Sequence, residues 1–396
     1  MRIPRPLTIR ALLGLLLGGL LVAAPRPAAA QGAACFQETG FCVRGRFLDY
    51  WTANGGLARN GFPLTEERQE LLEDGNTYTV QYFERVRLEL HPENAAPYDV
   101  LLGQFGRRIL RSGDESTGQP DPAAAAPASP IADAAYFPET GHNLGGAFRD
   151  YWQANGGLAQ FGYPLSEEFE QELPVGFAPR ARYRVQYFER ARLEYHPENA
   201  DPQYQVLLGQ FGRRILVEND QLAAAPGVKL LYTASERVQG LLGPPTADPL
   251  AQAPGAYQGF ERGLMLYRGD VRGIYVLCGG EQAGRLIPGG GSRPTLFFPD
   301  TSDPGQPVGG GPGPQPGLYE PQRGFGKLWQ ENQIVHDCLG YATTPDETPY
   351  TIAAKGFARG QLLSATTPTR QFIYAVYGTL PNPGGPLYER YPNPVP

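Results

Sequence analysis

The residues whose types and spacing could do chemistry occur in two near-identical copies. VQYFERVRLELHPENA (80–95) carries Glu84, Arg85, Arg87, Glu89 and His91, and VQYFERARLEYHPENA (185–200) carries Glu189, Arg190, Arg192, Glu194 and His196. Paired carboxylates could hydrolyse a glycosidic bond, one as acid and the other as base or nucleophile. Adjacent strand residues face opposite ways, however, and Ala358 stands in place of Glu84 in a divergent later copy. Cross-strand ion pairing, at about 0.2–1 kcal/mol per pair, is the simpler reading. Glu89 with His91, and Glu194 with His196, could share a strand face as metal ligands. Two ligands per hairpin fall short of a zinc site, so neither metal nor cofactor is expected. The chain has no GxSxG, HExxH or P-loop. A rival enzymatic reading places a centre in the unique part around 225–380, where Glu331, His336 and Asp337 occur. Nucleophile, base and orienter are not identifiable together there, so a non-enzyme is expected.

The elements that must position these residues are also duplicated. FLDYWTANGGLARNGFPLTEE from Phe47 and FRDYWQANGGLAQFGYPLSEE from Phe148 precede the copies, and VLLGQFGRRIL follows each, at 100–110 and 206–216. Phe47, Tyr50, Trp51 and Leu57 approach helical spacing, with Gly55-Gly56 closing a short helix. GFPLT and GYPLS read as turns, VQYFERARLEY as a strand, HPEN as a turn and YQVLLGQFG as the return strand. Weaker copies follow, with LLGPPTADP and GFERGLMLYRGDVRGIYVL in the third, and GKLWQENQIVHDCLGYATTPDE and KGFARGQLLSA in the fourth. The expected fold class is α+β: tandem helix–turn–β-hairpin repeats of short antiparallel strands and small helices, rich in loops.

Aligning the copies superposes Phe83, Phe188, Phe260 and Phe357, and likewise Arg85, Arg190, Arg262 and Arg359. Five places after each Phe stands Leu88, Leu193, Met265 or Leu362. Residues five apart on one strand face opposite ways, so a one-residue bulge after the arginine is expected, returning both apolar residues to the core. The recurring Arg suggests either a guanidinium bonded to a turn carbonyl or a packed guanidinium, for which Lys would not substitute. Trp51, Trp152 and Trp329 recur in the helix and read as core. The turn aromatics Phe62, Phe161, Tyr163 and Tyr341 are the candidates for ligand contact.

The chain divides into a signal peptide (1–30), module one (35–110), a linker (111–135), module two (136–216), a degenerate module three (228–300), a Gly/Pro linker (301–317), a degenerate module four (318–380) and a Pro-rich tail (381–396). Arg2, Arg5 and Arg10 precede an apolar run at 11–24 that is short for a membrane span, and small residues follow. No other run is apolar enough to span a membrane after cleavage. The net charge of −6 falls to about −10 without that segment. Nucleic acid is therefore not an expected partner. Four cysteines allow three pairings. Cys35 and Cys42 bracket a QETGF turn and form the natural local pair, which leaves Cys278 with Cys338.

GGLARNGFPLTEE, GGLAQFGYPLSEE and LLGPPTADP resemble the LGFP type of repeat. FERG and FARG resemble that family's Phe-x-x-Gly strand, where modules one and two have Val86 and Ala191 in place of the glycine. The longer pattern through CFQETGFC, DYW, GGL, QYFER and LLG resembles secreted tandem-repeat proteins of Chloroflexota bacteria. The resemblance implies a non-catalytic extracellular or cell-envelope module that associates with cell-wall polymers. The expectation is thus a secreted protein that binds cell-wall or extracellular polysaccharide, or an envelope protein. A hydrolase centred in 225–380 and a purely structural surface protein are the alternatives. In architecture, units three and four are expected as one disulfide-stapled lobe, with the first two modules mobile relative to it.

Overall fold

The computed structural model describes residues 32–113, 123–175, 178–279, 293–303, 308–366, 371–377 and 387–392; the expected signal segment lies outside them. Module one runs β1 (Ala33–Cys35), β2 (Cys42–Arg44), α1 (Gly45–Ala53), α2 (Gly56–Asn60), β3 (Arg68–Leu71), β4 (Thr77–Tyr82), β5 (Arg87–Leu90), β6 (Val100–Leu102) and α3 (Phe105–Ser112). Module two repeats it as β7 (Ala135–Phe137), β8 (His142–Leu144), α4 (Gly146–Ala154), α5 (Gly157–Phe161), β9 (Phe169–Val175), β10 (Ala178–Tyr187), β11 (Arg192–Tyr195), β12 (Val206–Leu208) and α6 (Phe211–Leu222). The remainder comprises α7 (Pro226–Ala234), α8 (Glu236–Leu242), β13 (Ala251–Phe260), β14 (Gly263–Arg268), β15 (Gly273–Cys278), β16 (Arg293–Pro299), α9 (Arg323–Glu331), α10 (Gln333–Leu339), β17 (Thr348–Phe357), β18 (Gly360–Thr366), β19 (Gln371–Tyr377) and β20 (Leu387–Pro392).

This order overturns the expected series of helix–turn–hairpin repeats. Among the described residues, the strands form five antiparallel sheets: two small hairpins, a four-stranded sheet in each of modules one and two, and a closed eight-stranded barrel in the order β13-β14-β15-β16-β20-β19-β18-β17. The physical reason is that one helix and one hairpin bury too little by themselves. Modules three and four therefore merge their strands into one barrel. β20, from the segment read as a Pro-rich tail, pairs along β19 and touches β16 at Arg293↔Tyr388 and Pro294↔Leu387.

The bulge is absent as well. Phe83-Glu84-Arg85-Val86 is a tight turn, with Tyr82 opposite Arg87 and Gln81 opposite Leu88. The stretch read as a single strand is a hairpin whose loop is Glu-Arg. A two-residue loop restores the common face that a bulge would have supplied, so Phe83 and Leu88 share the core under α1 with Phe47, Val100 and Leu102. The HPEN turn then connects β5 to β6, with Leu88 opposite Leu102.

Modules one and two are one packed body. The outer faces of their sheets meet through Val80, Tyr82, Val185 and Tyr187, with Phe105 and Ile109 of α3 and Phe211 and Ile215 of α6. Each module's last helix clasps the other's Glu-Arg turn. Arg107 N donates to Glu189 O and Arg213 N donates to Glu84 O, both at 3.1 Å. A Cβ on Gly106 would collide with the Phe188 carbonyl, and one on Gly212 with the Phe83 carbonyl. The C-terminal part is joined on through Lys229 of α7, whose Nζ lies 2.8 Å from Glu70 Oε1. Buried Arg108 also reaches Glu218 and lies over the ring of Tyr232. The first two modules, expected to be mobile relative to the C-terminal lobe, touch it through these buried contacts. The described part of the 111–135 linker docks as well: Ala128 N donates to Gly141 O, and Asn143 Nδ2 to Ser129 O.

The disulfides Cys35–Cys42 and Cys278–Cys338 are formed. Outside the barrel, α7 and α8 cover Phe357, Leu362, Ile373 and Tyr377, while α9 and α10 cover Phe260, Met265, Ile274 and Val276. Among the described residues no helix is long and apolar enough to cross a membrane.

Candidate aromatic platforms

What recurs four times is a contact between a glycine loop and the Phe-x-Arg hairpin. Gly61, Gly162, Gly243 and Gly340 all have φ between 72° and 82°, a left-handed backbone that favours glycine. The next residues run beside the hairpin phenylalanine as the bridges Pro63↔Phe83, Pro164↔Phe188, Pro245↔Phe357 and Ala342↔Phe260. In modules one and two the loop meets its own hairpin. In the barrel the partners are exchanged: the loop after α8 meets β17–β18, and the loop after α10 meets β13–β14.

The four arginines hold the helix ends from which these loops leave. Arg85 Nη1 donates to Leu57 O and Arg190 Nη1 to Leu158 O, each at 3.2 Å. Arg262 Nη2 donates to Asp337 O at 2.7 Å, and Arg359 Nη2 to Gly240 O at 2.6 Å. Phe83, Phe188, Phe260 and Phe357 are buried beneath. A second buried donor stands two residues before each Phe. Gln81 Nε2 reaches Thr65 O, Gln186 Nε2 reaches Ser166 O and Gln258 Nε2 reaches Thr344 O, each at 2.8 Å. Lys355 Nζ bonds Thr246 O at 2.8 Å and also Asp248 O. Sequence reasoning passed over these residues, although Gln repeats at that offset in three copies.

The hairpin glutamate has a definite role. Glu84 Oε2 accepts Phe62 N at 3.2 Å, Glu189 Oε2 accepts Tyr163 N at 3.3 Å and Glu261 Oε2 accepts Tyr341 N at 2.8 Å. Ala358 breaks the series, and it faces Pro244, whose nitrogen has no hydrogen to offer. Loss of the acceptor therefore coincides with loss of the donor, across the exchanged partners. The other oxygen of Glu84 accepts from Arg213 (3.1 Å), and that of Glu189 from Arg107. These carboxylates are occupied as clamps.

Each clamped loop presents one half-buried ring. Phe62 lies 5.5 Å from Phe36, which lies 5.4 Å from Trp51. Tyr163 lies 5.8 Å from Phe137, which lies 5.7 Å from Trp152. Tyr341 lies 5.2 Å from Trp329, with His336 filling the third place, 4.4 Å from Trp329. The indole N–H of each tryptophan fixes its ring to the loop glycine: Trp51 to Gly61 O and Trp152 to Gly162 O at 3.2 Å, and Trp329 to Gly340 O at 2.7 Å. Phe161 does not belong to this set. It is buried in the module two core, 5.9 Å from Tyr151, because it ends α5 one residue before the glycine that turns the loop outward.

No protein-family model, curated protein or solved structure matches this chain.

The charged runs lie on the opposite sheet face. Arg87 is buried, held by Glu89 (2.7 Å) and Glu73 (2.8 Å). His91 lies between Glu89 (3.3 Å) and Glu93 (2.9 Å) against the Tyr78 ring, and His196 repeats this with Glu194, Glu198 and Tyr183. Burial would raise the Glu89 and Glu194 carboxyls, but Arg87 or Arg192 and the neighbouring histidine hold both below the ordinary range. The module one set, Arg87, Glu89 and His91, borders a 450 Å³ cleft where module one, with its α3, meets the α7–α8 pair. Among the described residues, no three or more His, Cys, Asp or Glu side chains are grouped to hold a metal. Of the rival trio, His336 lies 3.5 Å from Asp337 but is stacked in the third platform, and Glu331 is exposed at the end of α9.

Proposed function

We propose that the chain is a secreted, non-catalytic protein that binds a polysaccharide of the cell wall or extracellular matrix through its aromatic platforms. The observation that carries this reading is the triple recurrence of one half-buried ring, Phe62, Tyr163 or Tyr341, on a loop clamped by a glycine, a carboxylate and a tryptophan. An aromatic face stacks on the apolar face of a sugar ring. A rigid mount reduces the ordering that binding requires. Three weak sites on one chain gain avidity on a repeating polymer, which offers many equivalent ligands. The resemblance to LGFP-type repeats points the same way. The two disulfides are compatible with an oxidising, extracellular setting. A glycosidase acid needs a raised pKa, whereas Glu89 and Glu194 are shifted the other way.

The test is retention of the mature chain on insoluble cell-wall polysaccharide. Replacing one of Phe62, Tyr163 and Tyr341 by Ala should weaken apparent affinity about tenfold, and replacing all three should remove binding. Circular dichroism controls for folding. Retention of the folded triple variant at wild-type strength, or no retention of the wild type on any glycan tried, refutes the proposal.

A further inference from the structure

The barrel is packed at one end and hollow at the other. Its inward rows put Leu264, Leu277, Ile352, Leu363 and Tyr374 in one apolar core. Towards the end bounded by the 269–272 turn and the Ala358-Arg359 turn, a cavity of 410 Å³ remains. Tyr275, Thr295, Phe297, Gln361 and Val376 line it. An eight-stranded barrel has room either to be filled by side chains or to hold one small ligand. The volume falls in the range of small-molecule sites, about 300–1,000 Å³.

Three features indicate a built site. The first is a polar brace across the lumen. Arg268, anchored on Asp270 (3.0 Å), donates to Gln361 Oε1 at 3.0 Å, and Gln361 Nε2 donates to the Tyr275 hydroxyl at 2.9 Å. These residues come from β14, β15 and β18, so the brace fixes opposite walls. The second is Thr295, which is 2% exposed and whose Oγ1 meets no hydrogen-bond partner among the described residues. A buried hydroxyl left alone is destabilising, and a bound partner would relieve that cost. The third is Phe297, an inward-row residue that is nonetheless 51% exposed and lies 4.9 Å from Tyr275. It forms an apolar rim. Gly273 leaves room for that ring, which any Cβ there would strike.

We propose that the open end of the barrel binds one small, mainly apolar molecule whose single hydrogen-bonding group meets Thr295. The walls are mostly aromatic and aliphatic, and Asp270 already neutralises Arg268, so a neutral ligand fits better than a charged one. None of the platform rings borders this cavity. The site therefore stands or falls independently of polysaccharide binding.

The experiment titrates the mature chain with N-phenyl-1-naphthylamine. The expected result is a saturable rise in probe fluorescence at one probe per chain. Val376→Trp fills the lumen and should weaken binding at least about tenfold. Should that variant fold poorly, Phe297→Trp at the rim supplies a second reading: its added indole emission should be quenched with the midpoint of the probe signal. Absence of saturable binding, a folded Val376→Trp chain with an unchanged midpoint, or no quenching in Phe297→Trp overturns the proposal.

Discussion

Gly106→Ala is the sharpest test of how modules one and two are joined. Gly106 carries no unusual φ, so its substitution leaves local backbone preference nearly untouched; the added methyl simply meets the Phe188 carbonyl and the backbone at Ala191. The α3 clasp must then withdraw. It loses the Arg107 N–H to Glu189 O bond at 3.1 Å and the ion pair between Arg107 and Glu189. A neutral hydrogen bond contributes about 1 kcal/mol and one to a charged group about 1.5–3 kcal/mol. The expected loss is about 3 kcal/mol, read as a shift in the urea midpoint with little change in slope. Gly212→Ala removes the symmetric clasp and should cost about as much. The double variant should cost clearly less than the sum, because both clasps close one interface. Either single variant within about 0.5 kcal/mol of wild type, or strict additivity, would refute the reciprocal clasp.

Three further outcomes are expected. Burial would raise Glu70, but Lys229, Arg87 and Arg68 hold it down to about 2. Its contribution is therefore complete above the ordinary carboxylate value of 4.5 and is lost as pH falls towards about 2. Glu70→Gln, the residue type found at Gln171 in module two, should flatten that part of the stability–pH curve and cost about 3 kcal/mol at pH 7 by stranding Lys229. Glu261→Ala should destabilise by about 1 kcal/mol by removing the acceptor of the Tyr341 N–H, whereas Ala358→Glu should gain nothing opposite Pro244; thermal melts would decide. Replacing Cys278 and Cys338 together by Ala opens a crosslink of sequence separation 60 and should cost about 4 kcal/mol in chemical denaturation.

Local chemistry was legible in the sequence where it repeats. The Phe and Arg columns were aligned correctly because each copy carries both residues at one offset. The glycine turns were visible because only Gly accepts their backbone. The Glu-Arg turn was missed because FERARLEY has unbroken strand composition; nothing in Glu or Arg announces a two-residue loop. Parity alone could not separate a bulge from a turn, since both return Leu88 to the side of Phe83. Closure of the barrel was not legible, because β20 lies in a stretch dominated by proline and the Leu387–Pro392 register is set by distant β19. Phe161 looked like its neighbour Tyr163 because composition does not tell the last helical residue from the first loop residue. The exchange of loops in the barrel did leave a trace, in Ala358 and Pro244, but its meaning depends on knowing that they touch.

The exchange also sets an order of assembly. In module one the arginine-to-helix-end bond spans 28 residues, whereas in the barrel Arg359 reaches Leu241 across 118. Contacts that close short loops form early, and those that close long ones wait. As the chain is made from its N-terminus, modules one and two can clasp while the barrel sequence is still arriving. Neither half of the barrel can mature first, because each needs the other's loop, and the circle cannot close until β20, the last strand described, has emerged. A protein interrupted before Leu387 would hold a finished N-terminal body and an open-edged sheet.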